Sequence, residues 1–218
     1  KTAYEIPLRL VGSEMCIRDS HPPVWMTVMS PGSAAEAGSR GYSIASLNTG
    51  YLRTPKIFEG YRQAAADAGR EAPKERFGYL AIVGVGDTDE EGKRRSDQIL
   101  DYSRTTPRAA SQFWFPPGYT SNEITAQMLH NRGPNMIPLR NGGQFEMQFG
   151  TVDEFINAGV AFAGNPDTVF EQIKEFHQYV SGLGQLLMMG QGGHISHHDT
   201  VSNLQLFSKE VLPRLADL

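Results

Sequence analysis

Short apolar runs recur along this chain, each closed by a turn and followed by an amphipathic stretch of helical period. That alternation is the sequence form of β/α units, in which helices cover a sheet of parallel strands. The first run, Val24–Val28, is apolar almost throughout, as a strand covered on both faces requires. It leads into Ser30-Pro31-Gly32-Ser33. Ser30 suits a helix N-cap, Pro31 the first helical position, where a missing N–H costs nothing, and Gly41 a stop.

A second strand at Tyr42–Leu47 passes through Asn48-Thr49-Gly50 into a helix expected from Thr54-Pro55 to about Ala68. A third, Phe77–Val85, passes through Asp87-Thr88-Asp89 into a helix ending near Tyr102, with Glu90 and Glu91 where the helix dipole favours them. The last unit starts at Val160–Gly164 and has a helix capped by Asn165-Pro166, with Val169, Ile173, Phe176, His177 and Val180 on one face. It closes with the apolar run Gln185–Met189, a Gly-rich loop, and a terminal helix opened by Ser196 and Asp199 in the manner of a capping box. The buried face expected for that helix is Val201, Leu204, Phe207 and Val211, with Pro213 limiting it.

Residues 105–149 break this rhythm. They are rich in Pro, Gly, Asn and Gln and carry the cluster Phe113-Trp114-Phe115-Pro116-Pro117-Gly118-Tyr119. A long irregular insertion of this kind in a compact α/β chain is commonly functional. A short helix is expected at Thr151–Asn157. The count is four strand–helix units, all parallel. A (β/α)8 barrel has eight such units in roughly 250 residues, so the expected architecture is half a barrel.

Residues 1–20 read differently from the rest. Back-translation of Lys1–Glu5 and of Leu10–Asp19 gives nucleotide strings that resemble the two ends of a sequencing adapter, in one frame and in the right order, with room for a barcode between. The expected native segment therefore begins near His21, entered mid-frame, and forms one domain over residues 21–218. The only cysteine, Cys16, lies inside the adapter-like stretch, so disulfide, thiolate and Cys-ligated metal chemistry are not expected in the remainder. The net charge of −4 and the lack of a Lys/Arg cluster give no electrostatic footprint for nucleic acid. No apolar run approaches the length of a membrane span, and a cytoplasmic location is expected.

The most informative candidate site is the turn Ser30-Pro31-Gly32-Ser33. A helix N-terminus offers unpaired N–H groups and a positive dipole end, two hydroxyls add donors, and glycine lets an anion approach the backbone. A simple N-cap would use the same residues. Phe113, Trp114 and Tyr119 could wall an apolar substrate pocket or pack the insertion down. His194 follows the last strand's Gly-rich loop and is a candidate substrate contact. The spacing His194-x-x-His197-His198-Asp199 suggests a metal site on paper, but Ser196–Asp199 is better explained as a helix start, and no metal is expected. His177 reads as a packing residue. Asp87, Asp89, Glu90 and Glu91 read as a solvated first turn, and Arg132 and Arg140 as candidates for meeting an anion.

The pattern HPPVWMTVMSPGSAAEAGSRGYSIAS, at residues 21–46, resembles the bacterial-luciferase-like, flavin-dependent monooxygenases. Val83–Glu91, Ala163–Val169 and Leu206–Pro213 resemble further stretches of that family in the same order. The resemblance implies a (β/α)8 barrel holding flavin mononucleotide (FMN) at the C-terminal ends of its strands, of which this chain is the C-terminal half, about strands five to eight. It implies that Ser30 and Ser33 bind the flavin phosphate, with Gly32 between them and Met29 at the strand end. It places the insertion between the last two strands, as an active-site cover that excludes water. The implied activity is oxidation of a small organic substrate by O2 and reduced FMN, the latter supplied by a separate flavin reductase, with a homo- or hetero-dimer possible at full length. Catalytic residues cannot be named from this half. The alternatives are a deazaflavin-dependent hydride-transfer enzyme of the same superfamily and a non-catalytic flavin-binding protein.

Overall fold

A computed structural model describes residues 23–105, 121–123, 126, 130, 135–216 and 218. Lys1–Ser20, Phe113, Trp114, Tyr119 and Arg132 lie outside the described residues.

Strand β1 (Trp25–Val28) leads through Ser30 into α1 (Pro31–Arg40), and β2 (Ser43–Leu47) into α2 (Gly50–Asp67). A short 3-10 turn, Lys74–Arg76, precedes β3 (Phe77–Val85), which is followed by α3 (Asp89–Thr105). The insertion contains a hairpin of β4 (Met136–Pro138) and β5 (Gln144–Glu146), then α4 (Val152–Ala158). Strand β6 (Ala161–Gly164) leads into α5 (Pro166–Tyr179), and β7 (Gln185–Met189) into α6 (His197–Leu206). A π-helical segment, Phe207–Val211, joins α6 to α7 (Leu212–Leu215).

Among the described residues, five strands make the parallel sheet, one for each of the five apolar runs. β1, β2, β3 and β7 form a ribbon in chain order. Leu47 at the end of β2 sits beside Leu80, so β3 runs on alone past β2. Its last residues, Ile82–Val85, pair with β6. Ile82 is matched by both Ala161 and Met189, which puts β6 on the same edge of β3 as β2 and opposite β7. The sequence reading ran the last two apolar stretches into one unit. Only β7 continues the ribbon, and β6 stands end to end with β2.

The two faces are covered by different elements. Val28, Ile44, Phe77, Tyr79, Val83, Val85 and Phe162 pack in one core with Ala34 and Ala37 of α1, Phe58 and Tyr61 of α2, Ile173 and Phe176 of α5, and Phe207 and Val211. Burying each of these large side chains contributes about 2–3 kcal/mol before the entropy of ordering it is deducted. Among the described residues, the opposite face is covered at its upper end. There Ile82, Ala161 and Ala163 pack with Ile99 and Leu100 of α3, Phe155 of α4, and Ile137 and Phe145 of the hairpin. Lower on that face, Trp25 and Leu187 flank Gly78 and remain 46% and 37% exposed.

Local signals place most boundaries. Ser30 caps α1 and Gly41 ends it at φ 71°, a left-handed conformation that favours glycine. Thr151 and Glu154 close a full capping box on α4. α2 begins at Gly50 instead of Thr54, and Pro55 lies inside it. The Thr54 hydroxyl donates to the Gly50 carbonyl at 2.6 Å within this first turn. The terminal helix turns differently from the sequence expectation. Val201 and Leu204 are exposed, while Thr200, Asn203, Phe207 and Val211 are buried. Asn203 takes the inward position because its amide is needed at the sheet. Pro213 falls at the start of α7, so the helical path continues past it.

Candidate functional site

Ser30-Pro31-Gly32-Ser33 sits at the C-terminal end of β1. The Ser30 Oγ accepts from the Ser33 N–H at 3.3 Å, and the Ser33 Oγ accepts from the Ser30 N–H at 3.3 Å. The Ser33 hydroxyl also donates to the Ser30 carbonyl at 3.0 Å, and the two hydroxyl oxygens lie 3.1 Å apart. The first turn of α1 carries no acidic residue. Among the described residues, a Cβ on Gly32 would meet nothing within 4 Å, so the backbone of the turn is open at that position. Met29, at the strand end, is 60% exposed. Gly60 of α2 packs closely against Pro31 from behind, so the turn has a rigid back and an open front.

The donor set fits a phosphate group: two hydroxyls, backbone N–H groups at a helix start, and no competing carboxylate in the turn. The capping box satisfies the same atoms. An anion would therefore be bound by reorienting short, exposed hydroxyls, which is a small adjustment.

His194 lies elsewhere. Its Nδ1 is 2.9 Å from the Asp101 carboxylate, and its backbone N–H donates to the Gln98 carbonyl at 3.2 Å. It thus leans on α3 at the end of β7. β1 and β7 are the outer strands of the ribbon, three strand spacings apart, or on the order of 14 Å. The structure does not bring His194 and Ser30 together.

The remaining candidates are engaged. Arg140 pairs with Glu175, so it is not free to meet an anion. Asp89 accepts from the Asn165 N–H at 2.8 Å, which holds its carboxyl below the usual carboxylate range. Glu91 pairs with Arg95 at 2.7 Å and caps the Asp87 N–H. These carboxylates are structural anchors, not a merely solvated turn. Ser196 caps Asp199 N–H, and the Asp199 carboxylate bonds to Arg94 and lies 3.6 Å from Arg95 instead of closing the box. Arg94 is the main cause holding the Asp199 carboxyl low. Among the described residues, no group of three or more His, Cys, Asp or Glu could hold a metal ion. None of their helices is long and apolar enough to cross a membrane.

Two buried polar residues shape the C-terminal end of the sheet without having been foreseen. Arg95, 2% exposed, donates to the Val85 carbonyl. The Tyr79 hydroxyl donates to the Gly159 carbonyl at 2.7 Å and accepts from the Gly50 N–H at 3.1 Å. It ties the β2–α2 turn to the α4–β6 turn. Burial pushes its phenol up. An isolated tyrosine in an apolar strand carries no sequence signal of such a role.

The family model for luciferase-like monooxygenase matches residues 5–181. The chain belongs to the luciferase-like monooxygenase family. Its matched segment starts within residues 1–20 and ends after α5. A curated relative, 3,6-diketocamphane 1,6-monooxygenase of Pseudomonas putida, is 25% identical over 182 residues, covering 82% of this chain and 43% of the relative. The structure of the oxygenating constituent of 3,6-diketocamphane monooxygenase from P. putida, solved with FMN, superposes with a TM-score of 0.60 at 23% identity, covering 89% of this chain and 49% of that one. A coenzyme F420 dependent tetrahydromethanopterin reductase from Methanopyrus kandleri superposes at 0.51 with 15% identity, covering 88% and 50%. These likenesses establish a shared α/β fold with a parallel sheet. The chain spans about half the length of the relatives it matches.

Proposed function

We propose that residues 21–218 are the C-terminal half of a luciferase-like (β/α)8 barrel whose FMN phosphate is held by Ser30, Gly32 and Ser33, with Met29 at the edge of the flavin site. The single observation that carries this reading is the open, carboxylate-free helix start at the end of β1. The ribbon β1-β2-β3-β7, with helices on one face and the part-exposed Trp25 and Leu187 on the other, supports the barrel arc. The insertion at residues 105–149, between β3 and β7, then forms the cover, and residues 1–20 stand outside the native domain.

Reduced flavin, when bound, would supply the two electrons with which O2 gives one oxygen atom to a small organic substrate and the other to water; a separate reductase would deliver it. The residues of this half bind and orient. Ser30 and Ser33 fix the phosphate, and the hairpin, α3 and α4 wall the strand ends against water. Phe113, Trp114, Tyr119 and His194 are proposed substrate contacts.

A deazaflavin-dependent hydride transfer is the second reading, favoured by the fold shared with the F420-dependent reductase. The test uses the complete reading frame. O2 consumption with reduced FMN and a panel of small ketones supports the monooxygenase. Oxidation of reduced F420 without O2 uptake supports the alternative, and neither supports a flavin-binding protein without catalysis.

A further inference from the structure

Arg140, at the turn of the β4–β5 hairpin, reaches back to the helices that flank the end of β2. Its guanidinium lies 4.6 Å from the Tyr51 ring centroid and 5.2 Å from that of Tyr179, and those two rings meet edge to face at 5.1 Å. The same group pairs with Glu175 of α5 at 2.5 Å, and the Arg140 backbone N–H donates to Asn157 Oδ1 at 3.0 Å. Arg53 of α2 adds a bond to the Met136 carbonyl at 3.0 Å. Beneath Arg140 is a cavity of about 180 Å³, lined by Tyr51, Ile156, Asn157, Phe162, Gln172 and Glu175.

An exposed ion pair alone contributes little, and both partners here are more than a third exposed. Contact with two rings is different. The planar, weakly hydrated guanidinium makes cation–π contacts more readily than the lysine ammonium. The hairpin has three paired residues on each strand, too few to stand alone in water, and its inner side is seated by Ile137 and Phe145 in the core, so Arg140 secures the outer turn.

We propose that Arg140 is a positioning residue, the clasp that fixes the hairpin limb of the insertion to α2 and α5 as a static wall of the site. The proposal rests on the reading of the insertion as the site's cover. It assigns the immovable part of that cover: the hairpin stays seated on α4 and β6, held by Arg140 above, while Tyr79 holds the α4–β6 turn below.

Hydrogen exchange on the full chain, measured without flavin, tests the clasp separately from the phosphate site. The Leu139 and Met147 amides, which close the hairpin, are expected to be protected in the parent chain. Arg140→Gln should speed their exchange about tenfold while the Val83 and Val85 amides keep their rates. Arg140→Lys, which keeps the charge for Glu175 but not the planar group facing the two rings, should recover less than half of that loss. Unprotected hairpin amides in the parent chain, no change in Arg140→Gln, or full recovery in Arg140→Lys would each overturn the proposal. Should Arg140→Gln fail to fold, Tyr179→Leu removes one of the two rings and must show the same direction of change.

Discussion

The side-chain carbonyl of Asn203 accepts a hydrogen bond from the Val85 N–H at 2.7 Å, at the point where β3 has outrun β7. Its amide nitrogen donates to the Val83 and Gly190 carbonyls at 3.0 and 3.1 Å. One fully buried side chain thus does for the edge of β3 what a neighbouring strand would do. Leaving three buried backbone groups unpaired is costly, so Asn203→Leu should destabilise the chain by roughly 3 kcal/mol. Urea denaturation checks this, and a loss below about 1 kcal/mol would show that water or a shift of α6 replaces the amide.

Two glycines of one helix should respond in opposite ways to alanine. A Cβ on Gly38 would stand 2.4 Å from the Tyr61 carbonyl oxygen, whereas one on Gly32 meets open space. Alanine favours a helix interior by about 1 kcal/mol. At Gly38 the clash with backbone outweighs that gain, and Gly38→Ala should lose about 2 kcal/mol. Gly32→Ala should leave thermal stability equal or slightly higher.

Acid should act through His177. Burial lowers its pKa, and its Nδ1 lies 3.2 Å from both the Leu183 N–H and carbonyl. A depressed folded-state value means that the unfolded chain binds the proton first. Stability from this group is therefore present above the unfolded value of about 6.5 and declines as pH falls through the folded value. Asp89 and Asp199, also depressed, add a second loss below the ordinary carboxylate range. In melts from pH 7.5 to 2.5, His177→Gln should flatten the first decline, near pH 6, and leave the second, below about pH 4; an unchanged slope between pH 7.5 and 5 would remove His177 from the account.

Among the described residues, the outer strands β1 and β7 each have one neighbour, and the lower face between them carries Trp25 and Leu187. Free parallel edges beside an apolar face invite pairing with other chains. Sedimentation of the 218-residue chain should show concentration-dependent association, weakened in Leu187→Lys. A monomer at all concentrations would contradict the open-ribbon reading.

What was legible in sequence was local. Ser30, Thr151 and Asn165 announce helix starts because a cap is made within four residues, and the apolar run Phe77–Val85 announces a buried strand. The place of β6 could not be read, because its apolar run is the same whether it extends the ribbon or stands on the end of β2. Steric closeness at Gly50 decides it: its φ of 60° and missing side chain let the α4–β6 turn sit on the end of β2. The role of Arg140 depended on partners from α2 and α5 far along the chain. Ser30 and Ser33 are the instructive case, since one short motif reads equally as a cap and as an anion site.

The measurement that separates those two readings is the affinity of the chain for FMN against riboflavin, which differ by the phosphate alone. In the parent chain FMN should bind more tightly, and the Ser30→Ala/Ser33→Ala double variant should lose about tenfold toward FMN, near 1.4 kcal/mol, with riboflavin unchanged. Equal affinity for the two flavins in the parent chain, or an FMN affinity indifferent to the double substitution, would contradict the phosphate site and leave the turn as a helix cap.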